Sequence, residues 1–181
     1  MRITDDRYRT DLRRHELAIR LVRYAARTGT IRAWTGLSTD RVRKLFRTYA
    51  TETVLREHSR LRGSAPHRPS VFTRSARLRT EAAILAGFLY TSGATCPLER
   101  LQRAERLCDT YETFREVLPT TELTFEHAAF LLQALTRDSE LQIGECFTCR
   151  APILIDRIHC PTAPCLRCAK ARRDGATDQA H

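Results

Sequence analysis

A chain of 181 residues with 42% hydrophobic content suits one medium domain, or a domain with a small appendage, and argues against wholesale disorder. Lysine and arginine number 31 against 21 acidic residues, a formal charge of +10, which favours polyanionic partners, nucleic acid ahead of an anionic membrane. Lys44 and Lys170 are the sole lysines, so the surplus is almost all arginine and its placement matters more than its size. The charged N-terminus lacks the apolar core of a signal peptide, and the longest apolar run, residues 82–90, is too short for a bilayer of roughly 30 Å. A cytoplasmic chain with no membrane partner is expected. In that compartment clustered cysteines read as metal ligands rather than disulfides.

Residues 11–28 place Leu17, Ala18, Leu21, Val22, Tyr24 and Ala25 at helical spacing, predicting an amphipathic helix stopped by Gly29. A short helix over 31–35, a turn at Gly36-Leu37 and a second helix from Thr39, N-capped by Ser38, then predict a helix-turn-helix unit. Ile31, Leu37, Val42 and Leu45 have the spacing to close it. Its opposite face shows Thr39, Asp40, Arg41, Arg43, Lys44 and Arg47. Early polar residues there can reach base edges, and later basic ones are placed for phosphates. The competing reading is a solvated amphipathic helix, and Arg32 stands where such units pack a small residue.

The helical pattern runs on through Glu57 and breaks in a proline- and glycine-bearing loop over 63–70. Residues 80–91 are apolar nearly all round, which predicts a central buried helix ended by Ser92-Gly93. Helices over 97–118, opened by Pro97, and about 124–137 complete the core. Beyond Leu141 the cysteines crowd together, 152–155 reads as a short strand, and the chain from Asp174 is polar and frayed. The expected fold is mainly α: N-terminal helices with the helix-turn-helix candidate (1–62), a helical core (71–141), a zinc-binding element (142–173) and a flexible tail (174–181).

Cys146-Phe147-Thr148-Cys149 and Cys165-Leu166-Arg167-Cys168 are separated by fifteen residues. Each CxxC turn aims two sulfurs at one point, and two turns complete the tetrahedron that Zn2+ accepts, so one ion per chain is expected on Cys146, Cys149, Cys165 and Cys168. A filled tetrahedron leaves no position for water, which makes the site structural. Cys160 or His159 could replace one ligand; a thiol beside the site, or a free one, suits Cys160 better. Cys108 falls on an apolar helix side and reads as a buried, inert thiol. Arg172 and Arg173, just past the last ligand, offer a second phosphate-facing cluster, or an ordinary solvated terminus.

In this order the pieces resemble the FlhC family of bacterial transcriptional activators. The resemblance rests on Leu37-Ser38, Arg41-Val42, Lys44-Leu45-Phe46, the tract from Leu61 to Pro66, Thr91-Ser92-Gly93, Ala104, Leu107 and Tyr111, and the two CxxC pairs. It implies that the four cysteines hold zinc. It also implies assembly with an FlhD-like protein, binding to double-stranded promoter DNA, flagellar promoters among them, and recruitment of RNA polymerase. The stretch 69–73 is shorter than the family's aromatic, proline-bearing segment.

The absence of HExxH, a phosphate loop or a nucleophile–base pair argues against an enzyme, and His15, His58, His67 and His127 are scattered. The residues leave a second reading open: a zinc-stabilised protein-interaction or thiol redox-sensing module without sequence-specific DNA contact.

Overall fold

The chain carries its apolar stripes on helices, and the helices close around one shared core. The computed structural model describes residues 2–60, 65–137, 141–159 and 161–177, with side chains for 6–56, 65–137, 141–159 and 161–172. Helix α1 (Arg2–Arg23) buries Leu17, Ala18, Leu21 and Val22 against α2 (Thr28–Thr35) and α3 (Thr39–Tyr49). Its first turns reach beyond the expected start at residue 11 because the apolar stripe marks only the part that packs; Tyr8 and Leu12 are exposed.

The stop is not Gly29. Ala25 takes φ 55, and the Ala26 N–H bonds back to the Leu21 carbonyl at 3.1 Å, closing α1 at Arg23. A left-handed alanine costs about 1–2 kcal/mol. Here burial of Ala25 and Ala26 in the core holds it. Gly29 lies inside α2 instead.

The pattern expected to continue to Glu57 is broken at Ala50, which is extended at ψ 130. A new helix, α4 (Glu52–Arg60), starts where the Thr51 hydroxyl accepts the Val54 N–H at 3.3 Å. Apolar spacing survives such a break, so periodicity alone joins the two helices.

A single turn, α5 (Ser70–Thr73), buries Phe72, which stacks on Phe130 with centroids 5.6 Å apart. The central helix α6 (Ala76–Thr91) begins earlier than residue 80, because Ser75 accepts the Leu78 N–H at 3.2 Å and caps it. It ends as expected, with Gly93 at φ 73. Helix α7 (Arg100–Val117) starts three residues after Pro97, and α8 (Phe125–Thr136) opens with a capping box between Thr124 and His127. His127 is thus a capping and packing residue. Burial pushes its pKa down, with the charge of Arg74 adding to the effect.

Two anchors join the N-terminal helices to the core. Along α1 and α7, Arg13 binds Glu105 through two bonds of 3.1 and 2.6 Å, and Arg20 binds Asp109 and Glu112. Tyr24 also bonds to Glu112 and stacks on Phe125 at 5.3 Å, with Tyr111 edge-on to both rings. The second anchor is Glu126 of α8, only 4% exposed. Its carboxylate accepts the Arg27 N–H and the Thr30 hydroxyl, both at 2.8 Å, and so caps the start of α2 from another part of the fold.

Past α8 come the strands β1 (Leu141–Glu145) and β2 (Pro152–Asp156), an antiparallel hairpin packed on α6, and a last helix, α9 (Leu166–Thr177). β2 matches the expected strand, whereas β1 and α9 go beyond it. The residues read as frayed from Asp174 continue α9 as far as Thr177, with 178–181 outside the described residues. β2 is buried on both faces: Leu154 belongs to the helical core, while Ile153 and Ile155 face the cysteines. No helix of the described residues is long and apolar enough to cross a membrane.

Candidate metal centre and nucleic-acid face

The first cysteine pair sits in the six-residue loop of the hairpin, between Glu145 and its register partner Pro152. The Cys146 N–H bonds to the Ala151 carbonyl at 2.8 Å, the Arg150 N–H bonds back to the Cys146 carbonyl at 2.9 Å, and Arg150 takes φ 62. This tight turn sets the sulfurs of Cys146 and Cys149 side by side. The second pair straddles the start of α9, with Cys165 just before the helix and Cys168 in its first turn, where free N–H groups favour anionic sulfur. The Leu166 N–H donates to the Thr80 hydroxyl at 3.1 Å, pinning this helix start to α6.

All four sulfurs lie within 4.8 Å of one another. Cys149 Sγ and Cys165 Sγ are 3.6 Å apart, far beyond a disulfide bond. Four sulfurs held at about 2.3 Å from a tetrahedral ion stand about 3.8 Å apart, so the set fits such an ion with little adjustment. Cys146 and Cys165 are buried, Cys149 and Cys168 half-buried.

The charges point the same way. Burial opposes ionisation of Cys146, but backbone N–H groups of Cys165, Cys149 and Thr148 outweigh it and pull the thiol down to about 6. The Cys165 thiol is lowered by the backbone of Cys168, whereas the Cys168 thiol is pushed up to about 12, first by its hydrogen bond with Cys149. The backbone thus favours thiolate at Cys146 and Cys165, and the crowding of sulfurs that raises Cys168 is what a bound cation would relieve. Cys146, Cys149, Cys165 and Cys168 can hold a metal ion.

His159 does not complete the set. Its Nδ1 lies 3.1 Å from Asp156 Oδ2, and the Asp156 Oδ1 accepts the N–H groups of Ile158 and His159, each at 3.0 Å. Asp156 is buried, and although burial works against its ionisation, those N–H groups hold its carboxyl below the ordinary value. The buried carboxylate therefore orders the turn after β2 and holds His159 outside the sulfur cluster. Cys160 lies outside the described residues. Gly144 is required on β1: a Cβ there would come 2.6 Å from Ile155 Cδ1.

Cys108 is fully buried in α7, and burial pushes its thiol up to about 12.

The α2–α3 segment has a short turn. Gly36 takes φ 74 at the end of α2, and the Ser38 hydroxyl accepts the Arg41 N–H at 3.4 Å. Buried Thr35 donates its hydroxyl to the Ile31 carbonyl at 2.7 Å and accepts the Leu37 N–H at 3.2 Å, bracing the turn from inside. Ile31, Leu37, Val42, Leu45 and Phe46 close the helices on each other and on α1. Arg32 is exposed, so its length meets no packing obstacle.

Arg41, Arg43, Lys44 and Arg47 are exposed on α3, and Thr39 is half-buried. Arg43 lies 3.5 Å from Asp40, an exposed pair that costs little to break. At the metal end, Arg172 is exposed and its guanidinium rests 5.2 Å above the centre of the Phe147 ring, at the tip of the first CxxC turn. The side chain of Arg173 lies outside the described residues. The two basic regions are separate features of the fold, one on α3 and one on α9.

No family model matches the chain, and no curated protein matches it in sequence.

Proposed function

We propose that the chain is a DNA-binding transcriptional activator subunit resembling the FlhC family, with α2 and α3 as a helix-turn-helix unit and Zn2+ as a structural ion on the four cysteines. The observation that carries the reading is the solvent side of α3: Arg43, Lys44 and Arg47 stand exposed opposite Val42, Leu45 and Phe46, with Arg41 at the flank near the helix start. A helix braced from behind by α1 and α2, with its cations outward, can enter a major groove without rearranging its core. Arg41 is then the base-reading candidate, and the later cations bind phosphates. Four thiolates in a closed tetrahedron suit zinc in a structural role and leave no coordination position for catalysis.

An FlhD-like protein and RNA polymerase are the proposed partners, at promoters that include flagellar ones. One reading unit covers too little sequence for specificity against a genome, and a heteromer multiplies units at high effective concentration. Tyr8 and Leu12 on α1 and Leu55 on α4 support a partner, being apolar side chains left exposed by the chain's own packing.

Purification of the chain alone and with the FlhD-like protein tests the reading through mass and promoter affinity. The expected result is a heteromer whose promoter affinity exceeds that of the chain alone by about a hundredfold. A monodisperse monomer with full promoter specificity, unchanged by the partner, contradicts it.

A further inference from the structure

We propose that the cavity between α2, α7 and α8 is a binding site for a small monocarboxylic acid with an aromatic or aliphatic body. The cavity has a volume of about 330 Å³, room for a compact organic molecule. Trp34, Phe130 and Leu132 supply an apolar wall, and Arg100, Arg103 and Arg137 are among the lining residues. An apolar lining with a few convergent polar groups is the usual make-up of a small-molecule site.

The guanidinium groups have no acidic partner among the described residues. Arg103 donates to the Cys96 carbonyl at 3.2 Å, and its Nε is buried without a hydrogen bond. Arg137 faces the side-chain oxygen of Gln133 at 2.6 Å once that amide is oriented to accept. Among the described residues Arg103 and Arg137 hydrogen-bond to neutral groups, and a carboxylate is the group that guanidinium binds through paired hydrogen bonds.

Glu126 is the acidic residue of the lining. Its carboxylate lines the same cavity, but its oxygens already accept the Arg27 N–H and the Thr30 hydroxyl. A ligand carboxylate is therefore steered away from Glu126 toward the arginines, and the apolar wall favours an organic body over an inorganic anion.

The site touches α2 directly. Thr30, Ala33 and Trp34 line it, and Arg100 lies against the α2–α3 turn, within 3.3 Å of where a Cβ on Gly36 would stand. A bound acid therefore ties α2 to α7 and α8. Any effect on DNA binding rests on the function proposed above, whereas binding of the acid does not.

Trp34 is the only tryptophan of the chain, so its fluorescence reports on this cavity alone. The full-length protein is titrated with hydrocinnamate and octanoate, and with the neutral hydrocinnamamide as control. The expected result is a saturable change with both acids, at or below millimolar concentration, and none with the amide. Arg103→Gln and Arg137→Gln each weaken binding about tenfold, the effect of removing one charge-assisted hydrogen bond. Arg137 is exposed at the end of α8, so its variant keeps the test valid if Arg103→Gln disturbs folding. The proposal is overturned if neither acid gives a saturable change, if the amide matches hydrocinnamate, or if the folded variants bind as the unmodified chain does.

Discussion

Cys149→Ser is expected to strip the metal from the chain and unfold its C-terminal element while most of the helical core stays intact. Among the described residues the buried cluster around the site is Cys146, Ile153, Ile155, Ala163 and Cys165, and two of those five are candidate ligands. Burying an isoleucine contributes about 1.5–3 kcal/mol. Ordering the backbone costs roughly 1–2 kcal/mol per residue. Over a segment as long as 144–170 the apolar contacts cannot offset that cost, and the proposed zinc, at the apparent ~10–16 kcal/mol of structural sites, would decide whether the element folds.

Serine keeps the turn but offers a hydroxyl that does not ionise at neutral pH. Elemental analysis should fall from one zinc per chain to near none. Amide exchange should accelerate across 146–151 and α9, with β2 partly protected because Leu154 stays in the helical core. Cys108→Ser should retain the metal, since that thiol is buried in α7 away from the cluster. A well-folded unmodified protein with no metal contradicts this account of the site.

Glu126→Ala is expected to lower the stability of the fold by about 2–4 kcal/mol, the cost of leaving two polar groups without their acceptor. The carboxylate is nearly fully buried, and alanine puts no acceptor in its place at the Arg27 N–H and the Thr30 hydroxyl. The loss should be concentrated at α2, which has no side-chain cap of its own. Glu126→Gln keeps one acceptor and should recover about half of the difference. Urea denaturation gives the stability, and exchange of the α2 amides gives the location. Equal stability of Glu126→Ala and the unmodified chain would show that the tether does not hold α2.

Local chemistry is legible in the sequence; remote partners are not. The two CxxC turns can be recognised because each sets its own sulfurs together whatever the rest of the fold does. Ser38 and Gly36 are legible for the same reason, as a cap and a left-handed turn made by adjacent residues. The stop after α1 escapes sequence reasoning because Ala25 is held at φ 55 by burial rather than by preference. The break at Ala50 is invisible there, since Val54 and Leu55 keep the apolar spacing across it. Glu126 reads as an ordinary first-turn acid, and its role emerges only when Arg27 and Thr30, 99 and 96 residues away, meet it. β1 is hidden because Gly144 and the polar Gln142 obscure its pattern, although Gly144 is what lets Ile155 pack.

The most direct test of the central claim is the salt dependence of promoter binding, with the FlhD-like partner present, for the unmodified chain and for a variant with Arg41, Arg43, Lys44 and Arg47 all changed to alanine. These side chains are exposed, so the substitutions should leave the fold intact. If α3 lies in the groove, affinity falls and the slope of log affinity against log salt shrinks by about 0.9 for each phosphate deprived of its cation. Unchanged affinity and slope in the folded variant would contradict the claim and leave α3 as a solvated architectural helix.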